Sequence, residues 1–432
     1  MLDYPWWILL FFVLGVLATI AAVTTLFTAW GRRPPEVWVV DPPEVGSKDF
    51  LLGISGSLNA PLESGGGARL LNNGDEFFPA MVEAFRSAEK SINFSAYIWE
   101  PGKVSEMMTE VLSERARAGV PVRILLDGMG GLRAPEEHLE RLREAGAEVE
   151  TFRPFRLGKI TRFYKRNHRR AIVVDGKVGF TGGAAVGDKW LGDARNPDEW
   201  RDIMVEITGC GASNLQSGFT QLWGSVCGEL LMGPAYYPHE EEMETKGEEI
   251  SHHVNIISSP SDDSYPLRKF FYISFAGGRE RIYVTSPYFV PDDETREVLR
   301  ARAQDGVDVR ILLPNEHTDA KPIRWASHRY YEELLEGGVR VYEYQKTMIH
   351  SKTVVIDGIW CIVGSANMDI RSQELNQENV IGMLDRGFGE ELERTFLVDL
   401  EDAKEMDLDQ WRRRGLGARL LERAAATFAE QY

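Results

Sequence analysis

The chain has 432 residues, 43% hydrophobic and 27% charged. These proportions exclude disordered, collagenous and low-complexity classes, and the length allows two to three domains of about 150 residues. Acidic residues outnumber basic ones 66 to 49, a formal charge of −17, which argues against nucleic acid as a partner held by bulk electrostatics. Cys210, Cys227 and Cys361 stand far apart without CxxC spacing, excluding a disulfide scaffold and a cysteine zinc site and fitting a reducing compartment.

Residues 4–31 carry no charge. The run WWILLFFVLGVLATIAAVTTLFTAW exceeds the roughly 20 apolar residues that cross a bilayer. Trp6, Trp7 and Trp30 stand near its ends, where amphipathic rings favour the headgroup layer. A cleaved signal peptide needs a basic start and a shorter core, whereas Asp3 precedes this run. The expectation is one transmembrane helix over residues 5–30, with Arg32 and Arg33 keeping the body in the cytoplasm. Pro34, Pro35, Pro42, Pro43 and the Gly-rich ESGGGA predict a linker over 31–67.

The body reads as a duplication. RARAGVPVRILLDG around Gly119 returns as RAQDGVDVRILLPN around Gly306, and REAGAEVETF around Gly146 as EGGVRVYEY around Gly338. NHRRAIVVDGKVGFTGG returns as IHSKTVVIDGIWCIVGS, in the same order and about 180 to 190 residues later. Phe77, Met81, Ala84 and Phe85, and Met107, Met108, Val111 and Leu112, are core stripes at helical spacing. SINFSAYIW and RIYVTSPYFV are β-branched and aromatic, as buried strands are. Helices alternating with strands predict an α/β lobe over 68–237 and another over 254–400. The sequon Asn93-Phe94-Ser95 falls inside a strand and is discounted. Residues 238–253 (PHEEEMETKGEEISHH) predict an acidic inter-lobe loop. His252 and His253 lack a third ligand and are set aside as a metal site.

Residues 153–170 carry Arg153, Arg156, Lys159, Arg162, Lys165, Arg166, Arg169 and Arg170 and no acid, a run suited to an anionic lipid surface. The tail, 401–432, predicts an amphipathic helix with Leu420, Leu421, Ala424, Ala425 and Phe428 on one stripe. Arg412, Arg413, Arg414, Arg419 and Arg423 accompany it, and the stripe suits either the membrane interface or the protein body.

Two places carry chemistry. In HSKTVVID, His350 and Lys352 are two apart on a strand and leave the same face, and Asp357-Gly358 suits a tight hairpin. HRRAIVVD repeats this with His168, Arg170 and Asp175. Two such halves packed face to face would hold one anionic group between two histidines. One imidazole would attack while the other acts as acid and then base, with Arg170 and Lys352 neutralising phosphoryl oxygens. This arrangement requires no metal or cofactor.

HSKTVVID with GSAN, and HRRAIVVD with TGG, resemble the paired HKD motifs of the phospholipase D superfamily. GDEFFPAMVEAFRSAEKSINFSAYIW, FTGGAAVGDKWLGDARNPDEWRD, TSPYFVPDD and GSANMDIRS are similar to phrases of bacterial cardiolipin synthases, so the resemblance spans residues 68 to 432. It implies two α/β lobes with one shared active site, and phosphatidyl transfer through a phosphohistidine. Two phosphatidylglycerols would give cardiolipin and glycerol; the alternative is hydrolysis to phosphatidic acid.

Carried over by resemblance, His168, Asp175, His350, Lys352 and Asp357 fill the motifs, with His168 as nucleophile. Ser365 and Asn367 lie near the phosphate. Glu378, following His350, is a carboxylate that orients a histidine, and Asp202 is its counterpart. Arg170 stands where the family has lysine, and Ala185 where the other half has Asn367. Relatives often carry two membrane helices. The implied partners are phosphatidylglycerol and the membrane, not nucleic acid, and the implied location is the bacterial plasma (inner) membrane. Oligomeric state leaves no trace in the sequence.

Overall fold

The computed structural model describes residues 7–8, 10–16, 18–19, 36–154, 165–239, 248–249, 251–259 and 265–427. It divides into a unit of residues 1–37 and a body of residues 38–432. In the first unit residues 7–8, 10–16 and 18–19 are α-helical. Among the described residues no helix is long and apolar enough to cross a membrane. Most of the expected span, 5–30, lies outside them.

The body holds two sheets with matching topology. In the first, the order is Glu148–Phe152, Val122–Asp127, Ile92–Ala96, Ala171–Val174, Val178–Gly182, Ile203–Thr208, Gly67–Asn72 and Glu248–Glu249. In the second, Arg340–Tyr344, Asp308–Pro314, Arg281–Thr285, Thr353–Ile356, Trp360–Gly364, Glu378–Leu384 and His252–Ser258 follow in the equivalent order. Ala403–Glu405 and Leu62–Glu63 add an edge to each end. In each lobe the first three strands run parallel, joined by helices, and the motif hairpin adds antiparallel strands beside them. Helix-to-strand joints repeat too: Gly119 and Gly306 take φ of +88° and +94°, a conformation that only glycine adopts at little cost.

Alternation along the strands divides the core. In the first motif strand Ile172 and Val174 face their own helices, while Val173 faces the other way. Val173, Val205 and Ile207 from the first lobe join Leu312, Val355, Val363 and Ile381 from the second in one apolar layer. The two sheets therefore pack through a shared core, and burial on both faces explains why their strands are almost wholly apolar.

Three boundaries differ from expectation. Within the predicted linker, Lys48–Leu58 is a helix capped by Ser47, whose Oγ accepts from Phe50 N. Phe50, Leu51 and Ile54 enter the core of the second lobe beside Phe270 and Trp360, and Leu62–Glu63 pairs with His252–Ser258. The prolines stiffen only the first part, and an apolar stripe outweighed them. His252 and His253 belong to a strand rather than the acidic loop; His253 is buried with Nε2 3.2 Å from Glu63 Oε2. Residues 240–247 of that loop lie outside the described residues. In the tail, Ala403–Glu405 is an edge strand antiparallel to Arg340–Tyr344. Asn93 is buried and donates through Nδ2 to Gln216 Oε1, 2.9 Å, so the sequon belongs to the core.

Candidate active site

Both motif histidines stand on short segments entering the antiparallel hairpins, and both are held by the opposite lobe. His168 N donates to Gln377 O at 2.9 Å, and Gln377 N to Arg166 O at 2.8 Å. The equivalent pair joins His350 N to Arg201 O at 2.7 Å and Arg201 N to Met348 O at 2.9 Å. These bridges bring Glu378, after Gln377, beneath His168, and Asp202, after Arg201, beneath His350. His168 Nδ1 lies 2.9 and 3.0 Å from the two Glu378 oxygens. His350 Nδ1 lies 2.8 Å from Asp202 Oδ2. Each carboxylate orients the histidine of the other lobe, not the one preceding it in sequence. With Nδ1–H committed to a carboxylate, Nε2 carries the free lone pair.

The cations repeat the same geometry. Lys352 Nζ donates to His350 O at 2.9 Å and sits 3.3 Å from both ring nitrogens. Arg170 Nη1 donates to His168 O at 2.8 Å. The longer arginine thus meets the carbonyl equivalent to the one that lysine meets. Burial, then the charges of Arg170, Lys352 and Arg371, holds His168 well below the ordinary imidazole range. Burial and Lys352 push His350 down to about 4, against the pull of Asp202. Both cations act on both rings, as they must in one shared site. Burial brings Lys352 down to about 7 and Glu378 up to about 7. Asp202 stays below its ordinary range because His350 and Lys352 outweigh its burial. Burial and the two cations thus favour the neutral form of both rings.

The carboxylates are braced differently. Ser365 Oγ donates to Glu378 Oε2 at 2.5 Å, so this serine touches the orienting acid. Its repeat equivalent is Gly183. A Cβ there would lie 2.2 Å from Asp202 Oδ1, so the shorter acid occupies the space of the serine side chain. Trp190 supplies the missing donor, with Nε1 2.8 Å from Asp202 Oδ2. Asn367 is buried, with its backbone N bonded to Ser372 Oγ at 3.1 Å and its Oδ1 without a hydrogen-bond partner. Aromatic rings wall the histidines: Tyr97 is 4.9 Å from His168, and Trp200, Trp190 and Tyr288 are 5.2, 5.5 and 6.5 Å from His350.

Asp175 and Asp357 lie elsewhere. They occupy the hairpin turns at the far ends of the motif strands, with φ of +54° and +53°. Asp175 accepts from the backbone N of Glu89, Lys90 and Ser91, and Asp357 from those of Arg279, Glu280 and Arg281, all at 2.7–2.9 Å. At about 3.3 Å per residue the intervening strand keeps each roughly 20 Å from its histidine. The structure thus places both aspartates, expected among the catalytic residues, at the hairpin turns and not beside the histidines.

The basic run also divides. Arg166, Arg169 and Arg170 are buried, not turned to a membrane. Arg169 joins the lobes, donating to Gly218 O and Ser258 O at 2.8 Å each. Arg156, Lys159 and Arg162 lie outside the described residues.

Sequence reasoning missed the crossed pairing, Trp190 and the two tyrosines. Tyr97 in SAYIW and Tyr288 in SPYFV occupy equivalent repeat positions, a signal that could have found them. Trp190 and Gly183 have no repeat counterpart in kind, and only the fold pairs them with Asp202.

A family model described as cardiolipin synthase, PLD-like domain, matches residues 81–223 and 273–400. Cardiolipin synthase 2 of Bacillus anthracis is 33% identical over 371 residues, 85% of this chain and 70% of that protein. The cardiolipin synthase of Geobacillus kaustophilus is 37% identical over 355 residues, 82% of this chain and 70% of that one. Among solved structures, the phosphatidylserine synthase of Haemophilus influenzae superposes with a TM-score of 0.65 at 13% identity, covering 88% of this chain and 97% of that one. That last likeness is one of fold.

Proposed function

From the premise that the chain belongs to the cardiolipin synthase family of PLD-like phosphatidyltransferases, we propose that it converts two phosphatidylglycerols to cardiolipin and glycerol at the His168–His350 site. The observation that carries this reading is the crossed pairing, in which each histidine is fixed through Nδ1 by the opposite lobe beside one buried cation. His168 Nε2 attacks phosphorus, and His350 Nε2 gives its proton to the departing glycerol oxygen. A phosphatidyl-histidine results. The terminal hydroxyl of a second phosphatidylglycerol then loses its proton to His350 Nε2 and attacks phosphorus, releasing His168.

His350 must be protonated for the first step, although burial and Lys352 favour its neutral form. A phosphodiester anion between Arg170 and Lys352 reverses the local field: a nearby negative charge favours the imidazolium, so pKa values rise on binding. Asp202 pulls His350 upward, which suits His350 to acid–base work and leaves attack to His168, as the resemblance to the family implies. Arg170 and Lys352 stabilise the equatorial oxygens of the transition state. Asn367, with its unpartnered Oδ1, and Ser365, through Glu378, complete the substrate-binding set. Residues 5–30 anchor the body in the bacterial plasma membrane, with the lobes on the cytoplasmic side. Asp175 and Asp357 stay outside the reacting set.

The test is incubation of detergent-solubilised full chain with phosphatidylglycerol, reading lipids and released glycerol. Cardiolipin with equimolar glycerol, absent in His168→Ala and His350→Ala, is the expected result. Phosphatidic acid alone would make the protein a hydrolase, and cardiolipin persisting in either variant would remove the paired-histidine mechanism.

A further inference from the structure

The C-terminal helix Leu416–Thr427 docks on the body by one face only. Ala425 and Ala426 meet Ala326 and Val290, and the buried Glu422 pairs with Arg414. The opposite face presents Leu416, Leu420 and Leu421 to solvent, 79%, 65% and 44% exposed. At about 100° per residue these leucines and the exposed Ala424 form one stripe. Arg413 and Arg423 are exposed beside it. Three neighbouring leucines on a helix that already has a docking face form an exposed apolar stripe that suits an apolar partner.

The helix sits at the histidine end of the second lobe. Its contact Val290 lies on the short strand Phe289–Val290, directly after Tyr288, whose ring packs near His350 and whose hydroxyl donates to Asp319 Oδ1 at 2.8 Å. The first lobe carries a matching feature. Met129, 44% exposed, precedes the turn Gly130–Arg133, and Leu132, 67% exposed, lies within it. Gly130 lies so close to Tyr97 that a Cβ would be 2.0 Å from its carbonyl oxygen, and the Tyr97 ring packs on His168. Arg133 is exposed beside Leu132. Each lobe thus bears exposed apolar groups with arginine at the same end, next to the tyrosine that walls its own histidine.

We propose that Met129 and Leu132 on the first lobe, and Leu416, Leu420 and Leu421 on the second, seat the catalytic body on an anionic phospholipid bilayer. The leucines enter the acyl boundary while the arginines meet lipid phosphates, as basic amphipathic helices do. The histidine end of the body then faces the headgroups, and a two-chain lipid approaches it without leaving the membrane. The orientation follows from the patches; their purpose rests on the lipid-transfer reading.

The full chain, with Cys227 replaced by serine, carries an environment-sensitive fluorophore at Leu420→Cys, Leu132→Cys or Arg86→Cys. Arg86 is exposed at the hairpin-turn end of the first lobe, where Asp175 binds the backbone of residues 89–91. The proteins are reconstituted in phosphatidylcholine with and without phosphatidylglycerol, using lipids brominated on the acyl chains. The labels at 420 and 132 should be quenched, more strongly with phosphatidylglycerol, and the label at 86 should not. Equal quenching at all three sites, or none, would overturn the proposal. A shift that depends on protein concentration and not on brominated lipid would do the same, in favour of a second copy of the chain.

In a second arm, the triple variant Leu416→Ser, Leu420→Ser, Leu421→Ser should lose about tenfold or more of its turnover on bilayer phosphatidylglycerol. Turnover of a monomeric short-chain phosphatidylglycerol should be retained. Equal loss on both substrates, or loss on neither, also refutes the docking role. The quenching arm needs no turnover, so failure of the catalytic reading leaves it readable.

Discussion

Replacing Lys352 by methionine should stabilise the protein while disabling it. The ammonium is buried beside His350, and burial brings it from 10.5 down to about 7. At about 1.36 kcal/mol per unit, holding that charge in the fold costs up to about 5 kcal/mol. The lysine also satisfies His350 O at 2.9 Å, and stranding that carbonyl costs about 1–3 kcal/mol. The net gain for Lys352→Met is therefore roughly 2–4 kcal/mol at neutral pH. The sign with pH follows from the lowered value. The folded form disfavours the proton, so the cost is complete below about 7, fades as pH rises towards 10.5, and vanishes once both states are neutral. Thermal melting of wild type and variant in detergent, compared near pH 6.5 and near pH 9.5, should show the variant's lead narrowing with pH. Cardiolipin formation should fall about a hundredfold or more with the loss of a transition-state cation. A variant that melts lower than wild type near pH 6.5, or a gap independent of pH, would refute the reasoning.

Arg170→Lys should keep activity within about tenfold, because lysine in the other lobe already bonds the equivalent carbonyl, whereas Arg170→Met should lose about a hundredfold; turnover at saturating substrate distinguishes them. Trp190→Phe removes the indole donor from Asp202 and should lower kcat about tenfold with little change in KM. It should also displace the pH profile through His350, and an unchanged profile would show that the indole merely fills space. Asp357→Ala frees three backbone amides and should cost about 2–4 kcal/mol in denaturant unfolding. Its kcat per folded molecule should change less than about threefold, and a large kcat loss without a stability loss would return Asp357 to the reacting set.

The duplication was legible because both halves keep their joints: glycine after helix, apolar strand, histidine strand, Asp-Gly hairpin. That pattern correctly anticipated two matching sheets, with each motif histidine and its cation on one hairpin. The helix at Lys48–Leu58 was hidden behind prolines and glycines, since it borrows its partners, Phe270 and Trp360, from more than two hundred residues away. The position of the motif aspartates was hard to read because the resemblance treats a motif as one unit, while a strand separates its ends. The partner of each acid was unreadable for the same physical reason: Glu378 and Asp202 reach across an interface, so sequence proximity could not say which histidine each one orients.

Crossed ownership of the carboxylates has a consequence for when the site comes into being. On the ribosome, His168 emerges long before Glu378, and Asp202 before His350, so neither imidazole finds its acid until nearly the whole body has left the exit tunnel. The nascent first lobe carries a histidine without its acid and an acid without its histidine, which silences it towards the lipids around it. An ancestral half-length chain built this way would have been equally inert alone. It would have worked as a two-fold dimer, each copy lending its acid to the other, before gene fusion made the exchange internal.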